Sequence, residues 1–342
     1  MIQKTNNCLG CGAALQTEDS NKVGYVKDLS QPFCRDCFQL MHYGVGESHH
    51  HPDSLPEFNK NSLILVVVSV FYIDSIFRMN VTNKHESLHV TYIINQMDLL
   101  PPHTNIDKMM ENILKQAKSF NLTYDDFILM SAKNKTDINN LSQYIKIRNF
   151  KDVYLIGLQN SGKTTIFKAL TGNKHALAMK KAALTQTILK DHMEDYTIFD
   201  TPGLYQKGFL HEFFDYEIYK DLLPSKTLKP RNGHLGTHDA LLIHGLCGIA
   251  VLKGETTSIF YGADIIKLHV TNMDKVLTQL TNKKLFDISM DSYIQTDLSL
   301  KEKVKYQITL ADFGLLHIVG PVTIRLFHHK DFYYSISKAY FT

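Results

Sequence analysis

Gly157-Leu-Gln-Asn-Ser-Gly-Lys-Thr164 fits the pattern GxxxxGK[ST]. The residues before it, Asp152–Gly157 (DVYLIG), read as a strand, and Lys163–Leu170 reads as a helix. That context separates a phosphate loop from a chance glycine turn. Glycines let the backbone wrap phosphates with its N–H groups, and the following helix adds its positive end. Gly157, Asn160, Ser161, Gly162, Lys163, Thr164 and Thr165 are therefore the candidate phosphate-binding residues. Lys163 is expected to reach the β- and γ-phosphates, and the Thr164 hydroxyl to ligate Mg²⁺. A second motif, Asp200-Thr-Pro-Gly203, ends a short strand downstream. Asp200 would hold Mg²⁺ through water, and the Gly203 N–H would meet the γ-phosphate.

Working outward, apolar runs alternate with helical stretches on both sides of the loop. Ser62–Val70, His89–Asn95 and Asp126–Ser131 read as strands, with two shorter ones around Thr187–His192 and Tyr196–Asp200. Ile106–Ser119 and Asp137–Ile147 carry helical spacing of apolar residues. This alternation predicts a doubly wound α/β sheet. Beyond Gly203 the texture changes. Gly208–Leu223 reads as helical, and from His238 onward short alternating β-like runs dominate, with a helix at Asn272–Leu280. Three parts follow: residues 1–50, an α/β domain over 51–222, and a β-rich domain over 223–342.

The order of the motifs is unusual. Guanine selection normally uses an NKxD motif downstream of the phosphate loop, its Asp accepting from the base's N1 and N2 donors. Nothing downstream of Asp200 fits; Thr271-Asn-Met-Asp274 has the wrong spacing and reads as a helix cap. Upstream, Asn95-Gln-Met-Asp98 ends one strand and Ser131-Ala-Lys133 ends the next. Asn95, Asp98, Ser131, Ala132 and Lys133 are thus the candidate base-binding residues. The whole reads as a circularly permuted P-loop GTPase domain, an order that leaves the sheet and its strand-end loops unchanged.

Cys8-x₂-Cys11 and Cys34-x₂-Cys37 match the two-knuckle spacing of a tetrahedral Cys₄ zinc site. Four thiolates leave no open position, so the zinc would be structural and would supply folding free energy to a segment with little core. The fifth cysteine, Cys247, falls in an apolar run and reads as a buried thiol. Two disulfides are the competing reading, at odds with a cytosolic location.

At this point the chain resembles the YqeH-type circularly permuted GTPases of ribosome assembly. The resemblance covers the N-terminal CxGCG and FCRxCFxLxHY segments, NxxDLLP (Asn95–Pro101), SAK, DVYxxGxxNxGKTT, DTPGL and the final FGLLHIVGP stretch (Phe313–Pro321). It implies a GTPase that assists maturation of the small ribosomal subunit, with a C-terminal domain engaging RNA or protein. It further implies that Asn160 helps hold K⁺ beside the phosphates. Leu204 stands where Ras-like enzymes place a water-orienting glutamine, and a leucine cannot orient water. Slow intrinsic turnover is expected, with a non-hydrolysing assembly factor, either nucleotide-binding or a nucleotide-independent scaffold for RNA or protein, as the alternative. The family's Gly-Thr-Thr switch segment is reduced to Leu184-Thr-Gln-Thr187, leaving Thr187 in preference to Thr185 as the Mg²⁺-sensing threonine. Gln96 replaces the NKxD lysine, predicting weaker guanine affinity with specificity kept by Asp98. Ser69 and Tyr72 occupy places where members often carry aspartates.

Composition sets the outer limits. Over 342 residues, 37 basic side chains face 34 acidic ones, a net charge of +3, and 44% of residues are hydrophobic. A disordered polyanion and a strongly cationic nucleic-acid wrapper are both excluded. The start lacks the apolar core of a signal peptide, and Leu63–Phe77 is too short for a membrane helix. A cytoplasmic monomer without membrane contact is expected, recognising ribosomal RNA and protein through local patches and not bulk charge.

Overall fold

The computed structural model describes residues 15–20, 24–31, 34–35, 58–79, 89–172 and 188–341. By contact density the chain divides into two units: Met1–Asp98 with Phe120–Gln206, and Leu99–Ser119 with Lys207–Thr342.

The first unit is built on a six-stranded sheet in the order β3-β2-β1-β4-β6-β5. Its strands are β1 (Leu63–Ser69), β2 (His89–Asn95), β3 (Asp126–Leu129), β4 (Asp152–Ile156), β5 (Leu189–His192) and β6 (Thr197–Asp200). All pairs are parallel except β5–β6. β1 is the central strand, and every residue of LILVVVS is buried, as a parallel strand covered on both faces requires. Leu63, Leu65 and Val67 form one face with Leu155, Ile166, Phe167 and three residues of the helix α3 (Lys135–Arg148), Ile138, Leu141 and Ile145. Each such side chain contributes about 1.5–3 kcal/mol by leaving water. On the opposite face the Tyr154 and Phe199 rings stack at 4.4 Å, and Phe77 packs edge-on to Tyr92.

Local chemistry fixes the helix ends. The Asn134 side chain accepts from the Thr136 N–H at the start of α3, and Asn149, in the left-handed region at φ 55°, donates back to Ile145 and Lys146. A short helix, α1 (Ile73–Met79), follows β1 directly and buries Ile73–Phe77.

The second unit contains two five-stranded antiparallel sheets, ordered β16-β13-β14-β10-β7 and β11-β8-β9-β15-β12. The first joins β16 (Tyr334–Lys338), β13 (Lys305–Leu310), β14 (Gly314–Val319), β10 (Thr256–Gly262) and β7 (Arg231–Leu235). The second joins β11 (Leu268–Asn272), β8 (Asp239–Ile243), β9 (Cys247–Lys253), β15 (Val322–His328) and β12 (Ile294–Leu300). Helix α6 (Val276–Leu280) packs Val276 and Leu280 with Leu242, Ala250 and Phe327. Asn272 caps the turn before it, accepting from the Asp274 N–H, so this asparagine is a cap and not a base reader. The helix α2 (Ile106–Ser119) also belongs to this unit, burying the stripe Met109, Ile113 and Ala117, and Asn112 donates to the Ala339 and Tyr340 carbonyls.

One sequence expectation is corrected here. Gly208–Leu223 is not one helix but a 3₁₀ turn at Leu210–Glu212 and the helix α5 (Tyr216–Leu222). The Leu210 N–H goes to Asp312 and the Gly208 N–H to Glu212, partners that a continuous helix would not need.

Candidate nucleotide-binding site

The site lies at the carboxyl ends of the parallel strands, where open α/β sheets place their ligands. β4 runs into the loop 157–162 and then into α4 (Lys163–Thr171). Two glycines are required sterically. Gly157 sits at φ 144°, and a Cβ there would lie 2.1 Å from the Val67 carbonyl oxygen. Gly162 sits at φ 92°, and its Cβ would meet the Asn95 amide at 2.2 Å.

The loop's carbonyls are each engaged from behind. The Lys163 ammonium donates to Gly157 O and Leu158 O at 2.9 and 2.8 Å. The Tyr72 hydroxyl donates to Gln159 O at 2.5 Å, Gln96 Nε2 to Asn160 O at 2.9 Å, and Asn95 Nδ2 to Ser161 O at 2.8 Å. With five successive carbonyls held by side chains, the loop is prepared for an anion through its N–H groups.

Asn95 does more than hold the loop. Its Oδ1 accepts from the Ala132 N–H at 2.9 Å, so one amide joins the phosphate loop to the Ser131–Lys133 loop. Asp98 accepts from the Ser131 hydroxyl at 2.7 Å and from the Lys133 ammonium at 2.9 Å. Burial works to raise its pKa, but Ser131 and Lys133 outweigh this and hold the carboxyl below the usual range. An ionised acceptor is what a guanine's N1 and N2 donors need. The permuted order thus brings the upstream base motifs and the downstream phosphate loop into one hydrogen-bonded site.

At the other end, Thr164 Oγ1 donates to Asp200 Oδ2 at 2.6 Å. Asp200 is fully buried, and among the described residues its Oδ1 has no hydrogen-bond partner. Burial pushes this carboxyl up to about 6 against the opposing Lys163 and Thr164, and pushes Lys163 down to about 8 against Asp200. An orphaned carboxylate oxygen beside a threonine hydroxyl is an oxygen set that suits Mg²⁺, and the buried lysine beside it suits an anionic phosphate. The residues present therefore fit a nucleotide and its metal.

Leu204 donates its N–H to Gly157 O and bridges Leu158, which brings Gly203 beside the phosphate loop. Its side chain is buried, so it offers nothing to a water. Asn160 sits at φ 56°, and its buried Nδ2 has no partner among the described residues. Thr165 occupies the first turn of α4. Thr185 and Thr187 lie outside the described residues, as do Cys8, Cys11 and Cys37; Cys34 is described and buried. Among the described residues no group of three or more His, Cys, Asp or Glu gathers as a metal site. Sequence reasoning missed Tyr72 and Ser69 as supports of the loop. The signal was their standing where aspartates were expected.

Sheet, phosphate loop and permuted motifs together define a P-loop GTPase domain whose elements occur in circularly permuted order. Residues 152–225 match the family described as 50S ribosome-binding GTPase. The chain is homologous to YqeH of Bacillus subtilis, at 25% identity over 297 residues covering 78% of each protein. It is also similar to NO-associated protein 1, chloroplastic/mitochondrial, of Arabidopsis thaliana, at 22% identity over 81% of this chain and 60% of that one. Among solved structures, YjeQ from Thermotoga maritima aligns with a TM-score of 0.29 at 23% identity, covering 44% of this chain and 51% of that one. Among the described residues no helix is long and apolar enough to cross a membrane.

Proposed function

We propose that this chain binds GTP and GDP with Mg²⁺, hydrolyses GTP slowly, and acts as a switch in assembly of the small ribosomal subunit. The observation that carries the reading is Asn95, whose one amide joins the base-reading loop to the phosphate loop. Lys163 and the N–H groups of residues 157–164 would bind the phosphates, Asp98 the base, and Thr164 with Asp200 the metal. Bound Mg²⁺ neutralises charge developing on the phosphate oxygens. Thr187 would sense the metal, and Asn160 would hold K⁺. With Leu204 in place of a water-orienting side chain, turnover depends on K⁺ or on the ribosomal partner. Cys8, Cys11, Cys34 and Cys37 would hold a structural Zn²⁺; the buried position of Cys34 and the spacing of the set support this. The subunit assignment rests on the resemblance of motif order and termini. The matched family's description refers to the 50S subunit, so both subunits enter the test. A cytoplasmic location is part of the proposal, although the Arabidopsis relative is named for organelles.

The test measures GTP hydrolysis in potassium and in sodium, with small or large subunits added, and co-sedimentation in GTP, in GDP and without nucleotide. Slow turnover stimulated by potassium and small subunits, with nucleotide-dependent pelleting, is expected. No turnover under any condition leaves the non-hydrolysing scaffold, which the buried Leu204 favours. Equal pelleting in all three states removes the switch.

A further inference from the structure

Three neutral side chains outside the phosphate loop determine how its middle is held. Ser69 ends β1, is 1% exposed, and donates its hydroxyl to Gln96 Oε1 at 2.5 Å. The other end of the same amide donates to Asn160 O at 2.9 Å. Gln96, the residue after β2, adopts φ 68°, in the left-handed region. Tyr72, 2% exposed, adds its hydroxyl to the neighbouring Gln159 O. A row of hydrogen bonds therefore runs from Ser69 through Gln96 into the loop, with Tyr72 beside it.

We propose that Ser69, Gln96 and Tyr72 are positioning residues that form an uncharged clamp on the phosphate loop, and that Ser69 and Gln96 work as one coupled pair in setting guanine-nucleotide affinity. A glutamine amide satisfies an acceptor and a donor at once, which matches a carbonyl on one side and a hydroxyl on the other. A lysine at 96 would still reach Asn160 O, but its charge would face a hydroxyl and not a counter-ion. A carboxylate at 69 without that lysine would sit unpaired, close to where phosphates bind, and oppose them. Each charged substitution is therefore unfavourable alone, while the two together would make an ion pair in the same place. On this proposal Gln96 need not weaken guanine affinity. The lost ammonium is replaced by an amide that Ser69 orients.

The inference rests on the guanine-nucleotide reading and is tested with a fluorescent GDP analogue on the full chain. Gln96→Lys and Ser69→Asp are each expected to weaken affinity about tenfold, and the double variant to return to within about threefold of the parent. Such non-additivity is the mark of direct coupling. Tyr72→Phe, which loses one oxygen, is expected to weaken affinity about tenfold with base selectivity against an inosine nucleotide unchanged, because it touches the loop and not Asp98. Thermal melts without nucleotide accompany each variant, since a purely structural role would move the melt and the affinity together, whereas the clamp moves the affinity with the melt held near the parent's. Additive losses in the double variant, or a Tyr72→Phe protein with unaltered affinity, overturn the clamp. Failure of the parent chain to bind the analogue overturns the functional reading as well, so the two failures are distinct.

Discussion

Both units of the molecule bury polar groups, but with different partners. The nucleotide-binding unit buries a cation beside an anion, Lys163 and Asp200, and among the described residues one oxygen of Asp200 has no hydrogen-bond partner. In the β-rich unit Gln307 and His317 face each other across β13 and β14 at 3.2 Å, Thr309 lies on the same strand as Gln307, and the buried carboxylate of Asp312 accepts from the Leu210 N–H. Burial holds His317 down to about 3, with Lys305 adding to the effect, so it stays uncharged at neutral pH. Uncompensated buried charge is expensive. A buried ammonium beside a buried carboxylate with an oxygen to spare marks where a charged ligand belongs, while the buried polar groups of the other unit serve the fold.

If that contrast is right, the largest effect comes from removing the buried cation. Lys163→Ala should lower GTP affinity by at least about a hundredfold, read by nucleotide titration, because two developing phosphate contacts vanish. Parent-like affinity would break the comparison. Next, Asp98→Asn should lose guanine nucleotides by about a hundredfold and gain preference for xanthine nucleotides, whose 2-oxo group accepts from the new amide. The check is competition between the two nucleotides. Gly157→Ala should destabilise the first unit by about 3 kcal/mol or more, because a Cβ would strike the Val67 carbonyl and φ 144° is foreign to alanine. Its thermal transition should fall while that of the β-rich unit stays.

The most gradual effect is a pH response of opposite sign in the two regions. The Asp200 pKa is raised to about 6 from 3.8, so without nucleotide its contribution to stability is full below 3.8 and fades as pH rises toward 6. The His317 pKa is depressed to about 3 from 6.5, so the unfolded chain takes up a proton that the folded one refuses. Its contribution is lost as pH falls from about 6.5 toward 3. Melts of the nucleotide-free chain between pH 4 and 7, with and without His317→Gln, should show the β-rich transition weakening in acid and the substitution flattening it. An unchanged slope in the variant would assign the acid response to other groups.

Much of this was legible in advance, for reasons visible at particular residues. β2 and α2 occupy the residues that their apolar spacing predicts, and β1 lies within one residue of its β-branched run. The phosphate loop announced itself because glycines at 157 and 162 are needed by sterics, not merely favoured. The helix α1 did not, because five successive buried residues leave no amphipathic period to read and continue the apolar run of β1. The order of strands in the β-rich sheets was equally hidden. β10 pairs with β7 and β14, and β13 with β14 and β16, choices made by packing between distant segments. In the site, residue types disclosed Lys163, Asp98 and Asp200. The roles of Tyr72 and Ser69 needed coordinates, since a hydroxyl's partner is a matter of reach.

The division of the chain has a consequence for dissecting the molecule. The backbone passes between the two units three times, at Asp98–Leu99, at Ser119–Phe120 and at Gln206–Lys207, the last of these two residues past Leu204. Neither unit is therefore one continuous stretch of sequence. No single truncation separates them, because a cut at Gln206 leaves the helix α2 without the rest of its own unit.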